Sequence, residues 1–136
     1  MPDGCSDPSH PRRVFVYGTL RRGGSNDITR LQPAPRFIGM SRVQGTLYRL
    51  GGYPGLKLGA GGWVVGEVYE VEPALESVLD LIEGLGPKPG DEYAKRSVLL
   101  SVKGTDMACF LYEINPAYVN GAATLPGGDW LEEIND

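Results

Sequence analysis

Seventeen acidic side chains, seven tyrosines, two cysteines and one histidine carry much of this chain's capacity for acid–base and nucleophilic chemistry. The histidine, His10, lies in a polar stretch punctuated by Pro2, Pro8 and Pro11, so a histidine base or histidine-containing metal cluster is excluded. Cys5 shares that stretch while Cys109 sits in an apolar run. They form no CxxC or Cys/His spacing, and neither a disulfide nor a zinc site is expected. Serine and cysteine nucleophiles lack a partner histidine to activate them. The glycine run Gly59-Ala60-Gly61-Gly62 opens no strand-to-helix unit with the right lysine, so it is neither a dinucleotide fingerprint nor a phosphate loop. Carboxylates, tyrosines and backbone amides remain. Together they point to acid–base catalysis with an oxyanion site and no cofactor.

Glu83 is the strongest carboxylate candidate. It ends a segment in which Leu75, Val78, Leu79 and Ile82 recur at helical spacing, and it lies about 80° from Leu75 on the helical wheel. The negative end of the helix dipole and Asp80 one turn back are both expected to raise its pKa toward the range of a general base. The plain alternative is a solvated glutamate at a helix end. Glu67, on the face shared by Val65, Tyr69 and Val71, is the rival carboxylate. For the oxyanion site the candidate is Val14-Phe15-Val16-Tyr17-Gly18-Thr19-Leu20, a buried strand that stops on glycine and exposes successive backbone N–H groups. Here the alternative is an ordinary strand end.

The elements that must position these groups follow from the punctuation. Gly and Pro supply 20 and 11 residues, which favours many short elements joined by tight turns over a helical bundle. Ser25 or Asn26 is expected to cap a short helical turn through Leu31. Phe37 to Leu50 reads as a strand bent at Gly39 and Gly45. Gly51 to Gly55 and Gly59 to Gly62 read as turns, and Trp63 to Val71 as the next strand. The one convincing helix runs from Pro73, with Gly84 just past its end. Gly84 to Glu92 reads as a loop, then Tyr93 to Lys103 and Met107 to Ile114 as a hairpin across Gly104-Thr105-Asp106. Asp129 is placed to cap a last turn through Trp130 and Leu131, with Trp130 closing the core. The expected fold is α+β: a small mixed sheet, curled or barrel-like, around one main helix.

Length and charge set the outer bounds. With 136 residues, the chain makes one domain with a core of its own, placed at 13–136 after a disordered leader at 1–12. A formal charge of -4 argues against nucleic acid as a partner. No run approaches the roughly 18 apolar residues of a membrane span. The leader lacks the apolar core of a signal peptide, so a cytoplasmic setting is expected.

Five blocks of residues then resemble the γ-glutamylcyclotransferase-like family, in family order. They are Tyr17-Gly18-Thr19-Leu20; Gly45-Thr46-Leu47-Tyr48 with Tyr53-Pro54-Gly55; Gly66-Glu67-Val68-Tyr69; Leu79-Asp80-Leu81-Ile82-Glu83-Gly84 with Tyr93 and Arg96; and Gly128-Asp129-Trp130. The resemblance covers about residues 14 to 131, and its nearest members look like the γ-glutamylamine cyclotransferases and the enzymes that remove a γ-glutamyl protecting group. It implies a small mixed α/β barrel, catalysis by Glu83, and a glutamyl group cradled by the amides of Gly18, Thr19 and Leu20. It implies release of 5-oxoproline by intramolecular attack. Tyr17 is expected to support the loop, Tyr112 to point into the interior as a packing or substrate contact, and Arg96 to stand at the cavity mouth or simply at an exposed strand end.

The expected partner is a small γ-glutamyl amide, with no nucleic acid, membrane or metal involved. One other reading keeps the ring closure but makes the leaving group a peptide, glutathione or a biosynthetic intermediate. Another, of a different class, is a non-catalytic small-ligand-binding or interaction module on the same scaffold. The leaving-amine side of the pocket is assigned to the loops Gly51 to Gly62 and Gly84 to Glu92.

Overall fold

The run Val14–Tyr17 is buried on both faces, and the sheet forms around it. The computed structural model describes residues 12–83 and 92–134. Strand β1 (Arg12–Val16) is followed by a 3-10 turn (Ile28–Arg30) and the long strands β2 (Arg36–Arg49) and β3 (Pro54–Val71). Helix α1 (Pro73–Ile82) precedes the hairpin strands β4 (Tyr93–Val102) and β5 (Thr105–Ile114). A second 3-10 turn (Pro116–Tyr118), the short β6 (Ala123–Thr124) and α2 (Trp130–Ile134) complete the chain. The strand order is β4-β5-β1-β3-β2-β6, with β1 antiparallel to β3 and parallel to β5. This mixed sheet forms a curled half-barrel with one main helix.

Alternation along β1 explains why so short a strand organises so much. Phe15 and Tyr17 join a core inside the curl with Leu47, Leu56, Val64, Val68, Leu111 and Trp130. Val14 and Val16 face the other way and pack with Tyr69, Val71, Leu75, Leu79 and Tyr112. A strand shared by two cores has no solvated face, hence its unbroken apolar sequence. Leu75 and Leu79 of α1 are fully buried and Val78 is partly so. Ile82 is 37% exposed, so the apolar stripe runs out at the last turn of the helix.

The glycine bends of β2 fall where expected. Its register against β3 shifts between Phe37 and Gly39 and again between Gln44 and Gly45. Several expectations need correction. Residues 59–62 do not separate two strands. They bulge within β3, because Gly45 pairs with Leu58 while Gln44 pairs with Trp63, and Gly59 and Gly61 take φ of 133° and 145°. The short turn after Gly24 is capped by Asp27, not by Ser25 or Asn26. The Asp27 carboxylate accepts from Thr29 N–H at 2.9 Å, and its helical turn covers only Ile28–Arg30. The β4–β5 turn is the two-residue Lys103-Gly104, with φ of 52° and 81°. Positive φ at both central residues gives the tight hairpin turn that suits the sheet's twist, so Thr105 and Asp106 belong to β5. Arg12 already belongs to β1 and not to a leader; the rest of that expected leader, with Cys5 and His10, lies outside the described residues. So do Gly84 and most of the loop that follows it. None of the described helices is long and apolar enough to cross a membrane.

Candidate active site

Between the end of β1, the β2–β3 turn, the end of α1 and the start of β4 lies a cavity of about 480 Å³. Residues 15–20 form one wall, Tyr53 and Pro54 a second, and Ile82, Glu83, Glu92, Tyr93 and Tyr112 the others. Of the residues singled out from the sequence, the structure brings Glu83, Tyr17, Gly18, Thr19, Leu20 and Tyr112 to this one cavity.

The wall at 18–20 is a tight turn whose carbonyls are spoken for. Gly18 O accepts from Arg21 N–H at 3.0 Å, Thr19 O from Asn26 N–H at 2.8 Å and Leu20 O from Ile28 N–H at 2.9 Å. In a trans peptide the C=O and the following N–H point in opposite directions. Drawing the Gly18 and Thr19 carbonyls into the loop body therefore turns the N–H groups of Thr19 and Leu20 the other way. Neither amide donates to any described residue. Gly18 is glycine for space and not for dihedral freedom: its φ is not positive, and a Cβ would stand 2.5 Å from Pro54 Cγ.

Glu83 is the residue that caps α1, its own N–H donating to Leu79 O at 3.0 Å. Glu83 lines the cavity beside Ile82, whereas Leu81 is exposed. Burial pushes its carboxyl up to about 7, and the negative charge of Glu92 adds to the shift. This corrects the expected cause, because Asp80 is occupied elsewhere: its carboxylate accepts from Lys95 Nζ and, at 2.7 Å, from Tyr112 Oη.

The cavity tyrosines are fixed. Tyr17 Oη donates to Tyr112 O at 2.6 Å and accepts from Leu56 N–H at 3.2 Å. Tyr93 Oη donates to Pro54 O at 2.7 Å, and Tyr53 Oη donates to Glu92. Burial pushes the hydroxyls of Tyr17, Tyr93 and Tyr112 far above their ordinary range, so all three stay protonated near neutrality, whereas the Glu83 carboxyl is pushed up only to about 7. Among the described residues, no group of three or more His, Cys, Asp or Glu side chains could hold a metal ion.

Two expected positions lie elsewhere. Arg96 does not line the cavity: it occupies the β4 face opposite Tyr93 and Lys95, and its Nε donates to Glu113 Oε1 at 3.0 Å. Glu113 already binds Lys57 Nζ and Leu58 N–H, so Arg96 completes a structural cluster. Glu67 is buried and away from the cavity, its carboxylate accepting from Arg21 Nε, Arg22 N–H and Tyr69 Oη, each at 2.9 Å. Of the cavity residues not singled out from the sequence, Tyr53 and Glu92 fall in the two loops assigned to the pocket, and Tyr93 lies outside them. Tyr53 sits in a glycine-rich turn and Tyr93 opens a strand, so both carried a position. Glu92 carried no signal beyond its place in a loop.

Known proteins share this family pattern and fold. A family model described as "Gamma-glutamyl cyclotransferase, AIG2-like" matches residues 14–132. A Vibrio cholerae protein provisionally named a gamma-glutamylcyclotransferase is 34% identical over 123 residues, 89% of this chain and 96% of that protein. An AIG2-like protein from Mus musculus has a crystal structure similar to this one, with a TM-score of 0.68 at 28% identity, covering 81% of this chain and 83% of the other. YkqA from Bacillus subtilis gives a TM-score of 0.70 at 25% identity over 90% of this chain, which spans 40% of YkqA. The chain therefore belongs to the gamma-glutamyl cyclotransferase, AIG2-like family.

Proposed function

We propose that this protein is a γ-glutamyl-amine cyclotransferase, in which Glu83 shuttles the proton and the 18–20 turn binds the reacting carbonyl. The observation that carries the reading is the placement, in one cavity, of a carboxyl that burial pushes up to about 7 and two backbone N–H groups that donate to none of the described residues. The Glu83 carboxylate takes a proton from the substrate α-ammonium, and the freed amine attacks the substrate's own γ-carbonyl carbon. Holding both groups in one molecule gives the attack a high effective concentration. Negative charge on the tetrahedral oxygen is met by the N–H groups of Thr19 and Leu20. Protonated Glu83 then gives its proton to the leaving nitrogen as the old C–N bond breaks. The ring nitrogen sheds its extra proton, the amine departs as an ammonium, and 5-oxoproline remains. No water is consumed.

Incubating the protein with γ-glutamyl amines, γ-glutamyl peptides and glutathione, and assaying 5-oxoproline, tests this reading. Release from the amines above the others is expected. Tight 5-oxoproline binding with no turnover of any member would make the protein a binding module instead.

A further inference from the structure

The turn that presents Thr19 and Leu20 N–H is followed at once by two arginines, and both are gripped by one carboxylate. Glu67 Oε2 accepts from the side chain of Arg21, through Nε at 2.9 Å, while Glu67 Oε1 accepts from the backbone N–H of Arg22, also at 2.9 Å. Tyr69 Oη donates to the same Oε1 at 2.9 Å and holds it in place. The other end of the guanidinium, Nη1, reaches Asp129 Oδ1 at 2.7 Å, and Asp129 leads into α2. Glu67 stands opposite Val16 in the β1–β3 ladder, so the grip is rooted in the strand pair that delivers the turn. Arg21 and Glu67 are 5% and 6% exposed, and neither lines the cavity.

Burying these charges is costly, and well-packed apolar groups often stabilise a fold as well or better. The hydrogen bonds to the carbonyls of 18–20 all come from residues 21–28, so they fix the turn's own shape and leave its placement against β3 to other contacts. A carboxylate that takes one side-chain donor and one backbone donor from consecutive residues fixes both the position and the tilt of the turn.

We propose that Glu67 is a positioning residue: by clamping Arg21 and Arg22 it sets the direction of the Thr19 and Leu20 N–H groups that receive the substrate oxygen. This rests on the cyclotransferase reading for the role of those amides. Glu67→Gln keeps an oxygen for Arg22 N–H and Tyr69 but sets an amide NH₂ against the Arg21 donor. Asp129→Asn keeps an oxygen to cap α2 and removes the charge from the outer end of the guanidinium.

The test compares the full-length wild type with both variants. Its readouts are kcat and KM for 5-oxoproline release across pH, 5-oxoproline binding, and the Thr19 and Leu20 amide resonances. Loss of one oxyanion donor costs about 10²–10³ in rate, so misaligned donors in Glu67→Gln are expected to cost about 10–100-fold in kcat, with weaker 5-oxoproline binding. Asp129→Asn is expected to show a smaller loss of the same kind. The acidic limb of the pH profile should stay put in both, because Glu83 is untouched. A merely structural contact would lower Tm and leave kcat and KM at wild-type values; that outcome in a folded Glu67→Gln overturns the proposal. Should Glu67→Gln fail to fold, Asp129→Asn decides: reduced kcat with an unmoved pH limb supports the clamp, and wild-type kcat overturns it. A wild type that releases no 5-oxoproline from any γ-glutamyl compound contradicts the functional reading instead. The clamp is then judged by the resonances alone, and unmoved Thr19 and Leu20 amides in either folded variant overturn it.

Discussion

The hydroxyl of Tyr17 donates to the main-chain carbonyl of Tyr112 at 2.6 Å, tying the end of β1 to β5 at the floor of the cavity. The same oxygen accepts from Leu56 N–H, so one phenol joins β1, β3 and β5. The Tyr17 hydroxyl thus donates to one backbone group and accepts from another. Tyr17→Phe should leave a buried carbonyl and a buried N–H without their partner, at a cost of about 1–3 kcal/mol in urea unfolding. The folded variant should still release 5-oxoproline. A variant of wild-type stability that is inactive would return the hydroxyl to the reaction.

Gly18 and Thr19 make contrasting demands. A Cβ on Gly18 would stand 2.5 Å and 2.9 Å from Pro54 Cγ and Cδ, and Pro54 is held by Tyr93 and by its pairing with Arg49. Gly18→Val should therefore displace the turn and lower kcat by at least about tenfold, since misplaced oxyanion donors lose most of their effect. Thr19→Ser keeps the hydroxyl that accepts from Asn26 Nδ2 at 3.1 Å and should stay near wild type. Steady-state kinetics on both variants checks this, and a fully active Gly18→Val would remove the turn from the mechanism.

The Glu92 charge next to Glu83 gives a prediction in pH. A base must be ionised to accept the ammonium proton, so kcat/KM should rise with pH through about 7, where Glu83 titrates. Glu92→Gln removes the second cause of that shift and leaves burial, so the limb should move toward lower pH without reaching the ordinary value of 4.5. The sign for stability is opposite to that for activity. A carboxyl whose folded pKa is raised binds its proton more tightly when folded. Its contribution is complete below pH 4.5 and is lost as pH rises through about 7. Glu83→Gln should flatten unfolding free energy across that window. A pH limb that stays fixed in Glu92→Gln would show that its charge does not reach Glu83.

Local pattern made much of this molecule legible. The apolar run at 14–17, the bends at Gly39 and Gly45, and the Pro73 start of α1 each follow from rules that act within a few residues. The place of Glu83 at the end of α1 is legible the same way, since it follows the amphipathic stripe of that helix. What stayed hidden depends on pairing across the chain. Residues 59–62 read as a turn because only β2 reveals that β3 continues on either side. Arg96 shares its face with apolar residues, and nothing local shows that Glu113, 17 residues on, claims it. Asp80 looked like a source of charge beside Glu83 until Lys95 and Tyr112 were seen to occupy it. The grip of Glu67 on Arg21 spans 46 residues and leaves no local trace.

In the proposed reaction Glu83 carries the proton while the 18–20 turn binds. Glu83→Gln keeps the size of the side chain and removes its ability to shuttle a proton, and general acid–base groups contribute about 10²–10⁴ in rate. The measurement is 5-oxoproline release by Glu83→Gln on the best γ-glutamyl amine, made beside 5-oxoproline binding and a melting curve. Turnover is expected to fall by at least about 10²-fold, with binding little changed and the fold intact. A folded Glu83→Gln that turns over at the wild-type rate would contradict this role for Glu83.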